Sequence, residues 1–455
     1  MHHQTVMTRR GNEIAKTALL AASIAVIGTL YLVAILNAVP PHPDLVIYAR
    51  GAKDLVAGRP LYEAYLQSPG DPTLRYGFIY PPLFAILLLP LSLVPPAALP
   101  TLWLIATHSA LAFAFWLVFR RLAVGRTVTL FAIALTLAFY PLWVEGSQAQ
   151  ANLPILLLVT LGLVGISDGK PRSGIWLGLA AALKLTPALL ILWLLWERRF
   201  RAAAWIAGGF VAFSAVAAML RPADTLTYAT RVLPMLAGGT AYYSNQSIAG
   251  LVARLFKANP YTTPVVQLPW EPILVLIVVA GLIGYWILRA PNLTLPKRGR
   301  ESHKARDFSG LTFLPLLPLA SAVSWEHHLV ILLPLVWVLI ARVPSLTFPR
   351  KWGREMARLG VLGVALLCLL AIPHLPIGPP YASDFARAAH TTNPLLIAGA
   401  NRLLAGTLIL FAAAPWMLRV AAPTLTLPRK RGRERGVAQQ WRPSTWSSSE
   451  LDRPA

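Results

Sequence analysis

Twelve apolar runs, most of them roughly 16 to 20 residues long, follow one another along almost the whole chain, and about 20 apolar residues is the length at which a helix crosses ~30 Å of hydrocarbon. They are Thr17–Leu36, Ile79–Pro96, Thr101–Phe119, Thr127–Val144, Ala151–Ile166, Gly174–Trp196, Ala203–Leu220, Pro272–Leu288, Phe308–Trp325, Leu329–Ala341, Leu359–Ile377 and Leu403–Leu418. Inside lipid every backbone N–H and C=O must find its partner within the protein, so such runs fold as helices. The expected fold is therefore all-α, a polytopic transmembrane helical bundle of 10–12 membrane segments. Thr17–Leu36 follows Arg9, Arg10 and Lys16 as the apolar core of a signal peptide would, but it is too long and lacks a small-residue cleavage site, so it reads as an uncleaved first span after a cytoplasmic N-terminus, residues 1–16. The single cysteine, Cys368, lies within an apolar run and excludes an intrachain disulfide.

The net charge of +23 would suit a nucleic-acid binder if the basic residues were interleaved with aromatic ones. They are instead gathered in five segments: before the first span, Arg198–Arg201, Arg289–Arg306, Arg342–Arg358 and Arg419–Arg435. The positive-inside rule puts all five on the cytoplasmic side, where anionic membrane lipids are the natural partners, so no nucleic acid is expected. Three of these segments carry one phrase: LTLPKRGRE at Leu293–Glu301, LTFPRKWGRE at Leu346–Glu355 and LTLPRKRGRER at Leu425–Arg435. Their unequal spacing excludes a solenoid repeat. They read as neutral insertions into cytoplasmic loops, residues 289–307 and 342–358, and into a basic tail, 421–455, whose composition beyond Arg435 is that of a disordered segment.

Two threadings fit between Ile79 and Trp196. If every run crosses, Arg120, Arg121, Arg126, Lys170 and Arg172 fall outside. If YPPLFAILLLPLSLVPP is a proline-broken re-entrant segment, and Gly174–Trp196 breaks at KLTP into two half-helices that return to their starting side, all five fall inside. The second threading is preferred. It leaves the Lys184–Pro187 tip within the membrane and turns four polar clusters toward one exterior face: the first loop, residues 37–78, with Asp44; EGSQAQAN at Glu145–Asn152; YYSNQS at Tyr242–Ser247; and SWEHH at Ser324–His328. Polar groups at membrane depth are costly unless they line a cavity, so a shared pocket is implied.

Each cluster also has a plainer explanation. Asp44 precedes an amphipathic stretch with Leu45, Tyr48, Ala49, Ala52 and Leu55 on one face, and could simply be its N-cap. Thr186 and Pro187 form an ordinary helix start. His327 and His328 are adjacent, and two metal ligands on one helix want i, i+4 spacing, so no metal site is expected. Asn152, Asn245 and Gln246 could only tie spans together by hydrogen bonds.

Taken in chain order, HPDLVIYARGAKDLVAGRPLY, RYGFIYPPLFAILLLPL, GSQAQANLPILLL, GIWLGLAAALKLTPALLILWLLWERRFRA, YYSNQSIAGLVAR and SWEHHLVILLPL resemble glycosyltransferase family 87, part of the GT-C superfamily of membrane glycosyltransferases. The resemblance covers about residues 15 to 420 apart from the basic insertions, and makes 17–420 a GT-C-like transmembrane domain. It departs at GSQAQAN, where the family more often has a shorter G-Q-x-N phrase, leaving Gln148 and Gln150 as alternatives for the matching glutamine. The resemblance implies transfer of a hexose, mannose in the best-known case, from a polyprenyl phosphate donor to a hydroxyl of a lipid or glycan acceptor, at the outer face of the cytoplasmic (inner) membrane. It also implies that an acid in the first external loop, here Asp44, is the general base. Candidates to hold donor or acceptor are Tyr80, Gln150, Asn152, Lys184, Thr186, Asn245, Gln246, His327 and His328. A cation and aimed donors can stabilise a leaving phosphate without a metal, so no cofactor is expected. A single displacement would invert the donor anomer, whereas retention would need a second carboxylate such as Asp54, Glu63, Glu145 or Glu326.

The main rival is a transporter or flippase of lipid-linked sugars. Transporters tend to repeat their broken helices in two related halves, and neither YPP nor KLTP recurs in the C-terminal half.

Overall fold

The computed structural model describes residues 2–37, 42–122, 124–289, 309–342, 352–370 and 401–418. Most of the two basic insertions and the whole 421–455 tail lie outside the described residues, although 352–358 belong to the helix Trp352–Leu369. Among the described residues the named elements are all helices, and the one β contact is an isolated bridge between Phe139 and Leu370. The protein is an all-α, multi-pass membrane protein.

Among the described residues, four helices are long and apolar enough to cross a membrane alone: Ile14–Leu36, Leu99–Leu122, Phe200–Leu220 and Glu271–Arg289. Their large apolar side chains remain exposed, among them Leu30, Ile105, Met219 and Leu276, as suits surfaces that meet lipid rather than water. Shorter apolar helices, including Asn152–Ser167 and Arg402–Leu418, complete the bundle.

Five of the twelve runs do not form single helices: Thr127–Val144, Phe308–Trp325 and Leu329–Ala341 are each divided, and the two other broken runs shape the site. Ile79–Pro96 contains only Pro82–Leu87 and a 3₁₀ turn at Leu89–Leu93, because Pro90, Pro95 and Pro96 remove N–H donors that a longer helix would need. Gly174–Trp196 breaks after Leu183: Lys184 is extended at φ −154°, a 3₁₀ turn follows at Thr186–Leu189, and the helix resumes at Leu190–Trp196.

The two halves form a hairpin. A Cβ on Gly174 would come within 2.5 Å of the Ala202 carbonyl oxygen, and one on Gly178 within 2.6 Å of that of Ile206, so the first half-helix runs alongside, and in the same direction as, the start of Phe200–Leu220. The second half-helix ends just before that start, at Trp196. Both feet of the hairpin are thus level, and glycine is needed at both positions because the two backbones touch. A half-helix of 10 residues rises only ~15 Å, which leaves Lys184 at the tip inside the bundle. The ion pair between Arg121 and Asp168 lies at the hairpin's foot end, where the helices Leu99–Leu122 and Asn152–Ser167 terminate.

At the opposite end the first loop is fastened down. Asp224 Oδ1 accepts from the backbone N–H of Leu61 at 3.0 Å, and Asp71 Oδ2 accepts from Thr240 Oγ1 at 2.6 Å and from the Tyr261 hydroxyl at 3.0 Å. These bonds hold the loop as a roof over the end of the bundle that carries Asp44.

Candidate active site

The helix Pro43–Val56 begins with proline at its first position, which fixes φ for helix entry and makes His42 the N-cap. Asp44 is thereby moved into the first turn, and the capping role that the sequence allowed it is not the one it has. Leu45, Tyr48 and Ala52 bury one face of this helix, with Ala49 and Leu55 half-buried beside them. His42 Nδ1 lies 2.8 Å from the Ser147 carbonyl and ties the helix start to the segment that carries Gln150.

Asp44 Oδ2 accepts a hydrogen bond from Gln150 Nε2 at 2.5 Å. Gln150 is presented by a strained turn, since Ala149 sits at φ +50°, where side chains with a Cβ are disfavoured. The turn is held by Trp103, whose indole N–H donates to the Ala149 carbonyl at 2.7 Å. Gln150 Oε1 in turn accepts from the hydroxyls of Tyr48 and Tyr80 at 3.0 and 3.2 Å, which fixes the orientation of its amide. Of the two glutamines in GSQAQAN, Gln150 is therefore the one that reaches Asp44; Gln148 is the C-cap of the preceding helix.

Asp44 is half-buried. Its pKa is pushed up to about 6, first by burial, against which the Gln150 hydrogen bond and the charge of Lys184 pull it down.

A second group of residues meets at the hairpin tip. Glu145, 1% exposed, reaches forward to cap the next helix, with Oε1 accepting from the backbone N–H of Asn152 at 2.7 Å and of Leu153 at 3.2 Å. Its Oε2 accepts from Asn152 Nδ2 at 2.8 Å, which turns the Asn152 carbonyl oxygen toward Lys184 Nζ, 2.6 Å away. Lys184, Asn152, Thr186, Ser324 and His328 line a narrow cavity of about 40 Å³, closed on its apolar side by residues such as Ile331. The backbone N–H of Trp325 donates to His328 Nδ1 at 3.2 Å.

The remaining candidates are arranged differently. Asn245, fully buried, uses Nδ2 on the carbonyls of Thr240 and Ala322 and Oδ1 on the N–H groups of Ser247 and Ser324. Gln246 donates to the Tyr243 carbonyl at 2.8 Å and accepts from the Leu404 N–H at 3.0 Å. Both amides stitch backbone segments together. His327 is buried and does not line the cavity. Among the described residues no three His, Cys, Asp or Glu side chains gather as a metal-binding set.

The structure thus unites Asp44, Gln150 and Tyr80 in one cluster and Asn152, Lys184, Thr186 and His328 in another. Electrostatics couples the two, since the Lys184 charge is felt at Asp44. Tyr48 and Glu145 are members that the sequence did not single out for these roles. Tyr48 was visible only as one apolar position of an amphipathic helix. The one signal for Glu145 was an acid standing seven residues ahead of a helix that lacks a capping side chain of its own.

Comparison with known proteins adds an independent line. The family model for glycosyltransferase family 87 matches residues 78–299. The chain is 30% identical over 354 residues to a polyprenol-phosphate-mannose-dependent alpha-(1-2)-phosphatidylinositol mannoside mannosyltransferase of Mycobacterium tuberculosis, covering 74% of this chain and 78% of the relative. It is 29% identical over 369 residues to a polyprenol-phosphate-mannose-dependent alpha-(1-2)-phosphatidylinositol pentamannoside mannosyltransferase of Mycolicibacterium smegmatis, covering 78% of this chain and 84% of the relative. No solved structure matches the chain.

Proposed function

The chain belongs to glycosyltransferase family 87, and on that premise we propose that it moves a mannosyl residue from a polyprenyl phosphate donor to a hydroxyl of a lipid acceptor, with Asp44 as general base, at the outer face of the cytoplasmic membrane. The observation that carries the reading is the state of the Asp44 carboxylate. One oxygen is held by Gln150, while no described residue hydrogen-bonds the other, which is therefore available to take a proton.

In the reaction the acceptor oxygen forms a bond to the anomeric carbon as the bond from that carbon to the donor phosphate breaks. The acceptor proton passes to Asp44, and the electron pair leaves with the polyprenyl phosphate. A sugar or polyol hydroxyl is a poor nucleophile until its proton is accepted, and a base with a pKa near 6 serves better than an ordinary aspartate while staying mostly ionised at neutral pH. The departing phosphate gathers charge that Lys184 can meet, with Thr186 and His328 beside it. This arrangement supplies the charge stabilisation without an obligatory metal. A single displacement at the anomeric carbon inverts it, so a β-linked donor gives an α-mannoside.

The five basic segments support the cytoplasmic assignment of the hairpin's foot end, and hence an exterior position for Asp44. The test is transfer from radiolabelled sugars presented to right-side-out membrane vesicles. Label should pass to lipid from polyprenyl phosphate mannose and not from a nucleotide-linked mannose. Transfer from the nucleotide sugar, or only in inverted vesicles, would defeat the reading.

A further inference from the structure

Ser324 is fully buried, lines the cavity at the hairpin tip, and its hydroxyl has no hydrogen-bond partner among the described residues. A buried hydroxyl left unsatisfied weakens a fold, and the residue could be alanine at no loss of packing. Its backbone, by contrast, is held on both sides: the N–H donates to Asn245 Oδ1 at 2.8 Å, and the carbonyl accepts from the Gln246 N–H at 2.7 Å. The YYSNQS segment therefore clamps Ser324 in a fixed place while leaving its side chain unused.

The cavity lining indicates what the hydroxyl awaits. Lys184 offers ammonium protons beyond the one given to Asn152, and Thr186 brings a second hydroxyl to the lining. The side-chain carbonyl of Asn152 is already occupied by Lys184, Ser321 already donates to the Val323 carbonyl, and no carboxylate lines the cavity. A wall of donors with its own acceptors occupied is complementary to an anion.

We propose that Ser324 is a donor-phosphate ligand, its hydroxyl giving a hydrogen bond to a phosphate oxygen of the lipid-linked sugar between Lys184 and His328, with Asn245 and Gln246 as the positioning residues that hold it there. The proposal rests on the polyprenyl phosphate reading above. Sugar hydroxyls, which both donate and accept, suit instead the Asp44 oxygen that Gln150 leaves unbonded.

The test is Ser324→Ala in the full-length protein, with farnesyl phosphate as a sugar-free probe of the phosphate site. Thermal stability in detergent should be unchanged or raised. KM for the donor and the inhibition constant of farnesyl phosphate should rise together, by about tenfold or more, the scale of one hydrogen bond to a charged group. Ser324→Cys, similar in size and a weaker donor, should fall between. Unchanged constants, or a higher KM with unaltered farnesyl phosphate inhibition, would overturn the proposal, the second result moving Ser324 to the sugar. A drop in stability with unaltered constants would make it a structural residue and overturn it equally. If the wild type were neither inhibited by farnesyl phosphate nor active with the lipid donor, the underlying functional reading would be at fault.

Discussion

Asp44→Asn is expected to lower turnover by ~10²-fold or more, the usual scale for loss of a positioned base, while expression and donor binding persist. Asparagine keeps the size of the side chain. Its carbonyl oxygen can still accept from Gln150 Nε2, so the cluster with Tyr48 and Tyr80 has no reason to dissolve. What is lost is the ability to take a proton. Because His42 stands at the N-cap position and Asp44 makes no capping bond, the substitution should leave the stability of the first loop almost unaltered, and this separates the chemical role from a structural one. Transfer at saturating donor and a binding assay on the same preparation measure the two effects. Near-normal turnover would return the search for a base to Glu145 or Glu326.

Lys184→Met is expected to cost about 10² to 10³ in turnover, the range seen when one preorganised donor to a developing anion is removed. Methionine matches the length of the lysine stem and is tolerated within a bundle, so packing around the tip should survive. The loss should appear in turnover more than in KM, because the charge on the phosphate grows as the bond to the sugar breaks. The substitution also leaves the Asn152 carbonyl without its partner and removes a positive charge near Asp44. Lys184→Arg keeps the charge but has to fit a planar group into a narrow cavity, and should recover only part of the activity. Single-turnover measurements separate the two contributions; equal losses in donor binding and none in turnover would mean that Lys184 only recruits the donor.

Much of this arrangement was legible from the residues, and the rest was not, for identifiable reasons. Apolar length announced the membrane bundle, and KLTP announced the hairpin, because a lysine and a proline in an apolar run make a continuous helix costly. Asp44 was visible as a rare acid at the lip of a span. Its first-turn position was misjudged because proline at the first helical position moved the cap back to His42. Glu145 was harder to read, since its partners are the backbone N–H groups of a helix start beyond a turn, and its hydrogen-bonded path to Lys184 runs through Asn152. Ser324 stood in the sequence only as the first residue of the SWEHH cluster. What sets it apart is that no described residue bonds its hydroxyl while Asn245 and Gln246 hold its backbone, and both facts require the chain to be folded.

The catalytic assignment of Asp44 is tested most directly by the pH dependence of kcat/KM in the wild type and in Asp44→Asn. A general base must be ionised to act, and burial places the pKa of Asp44 in the free protein at about 6. The wild-type profile should rise with pH through about 6, and the residual activity of Asp44→Asn should lack that rise. The donor is a phosphodiester and does not titrate there, so it cannot produce that limb. Retention of the same ascending limb in Asp44→Asn, or a wild-type profile that is flat through this range, would contradict the assignment.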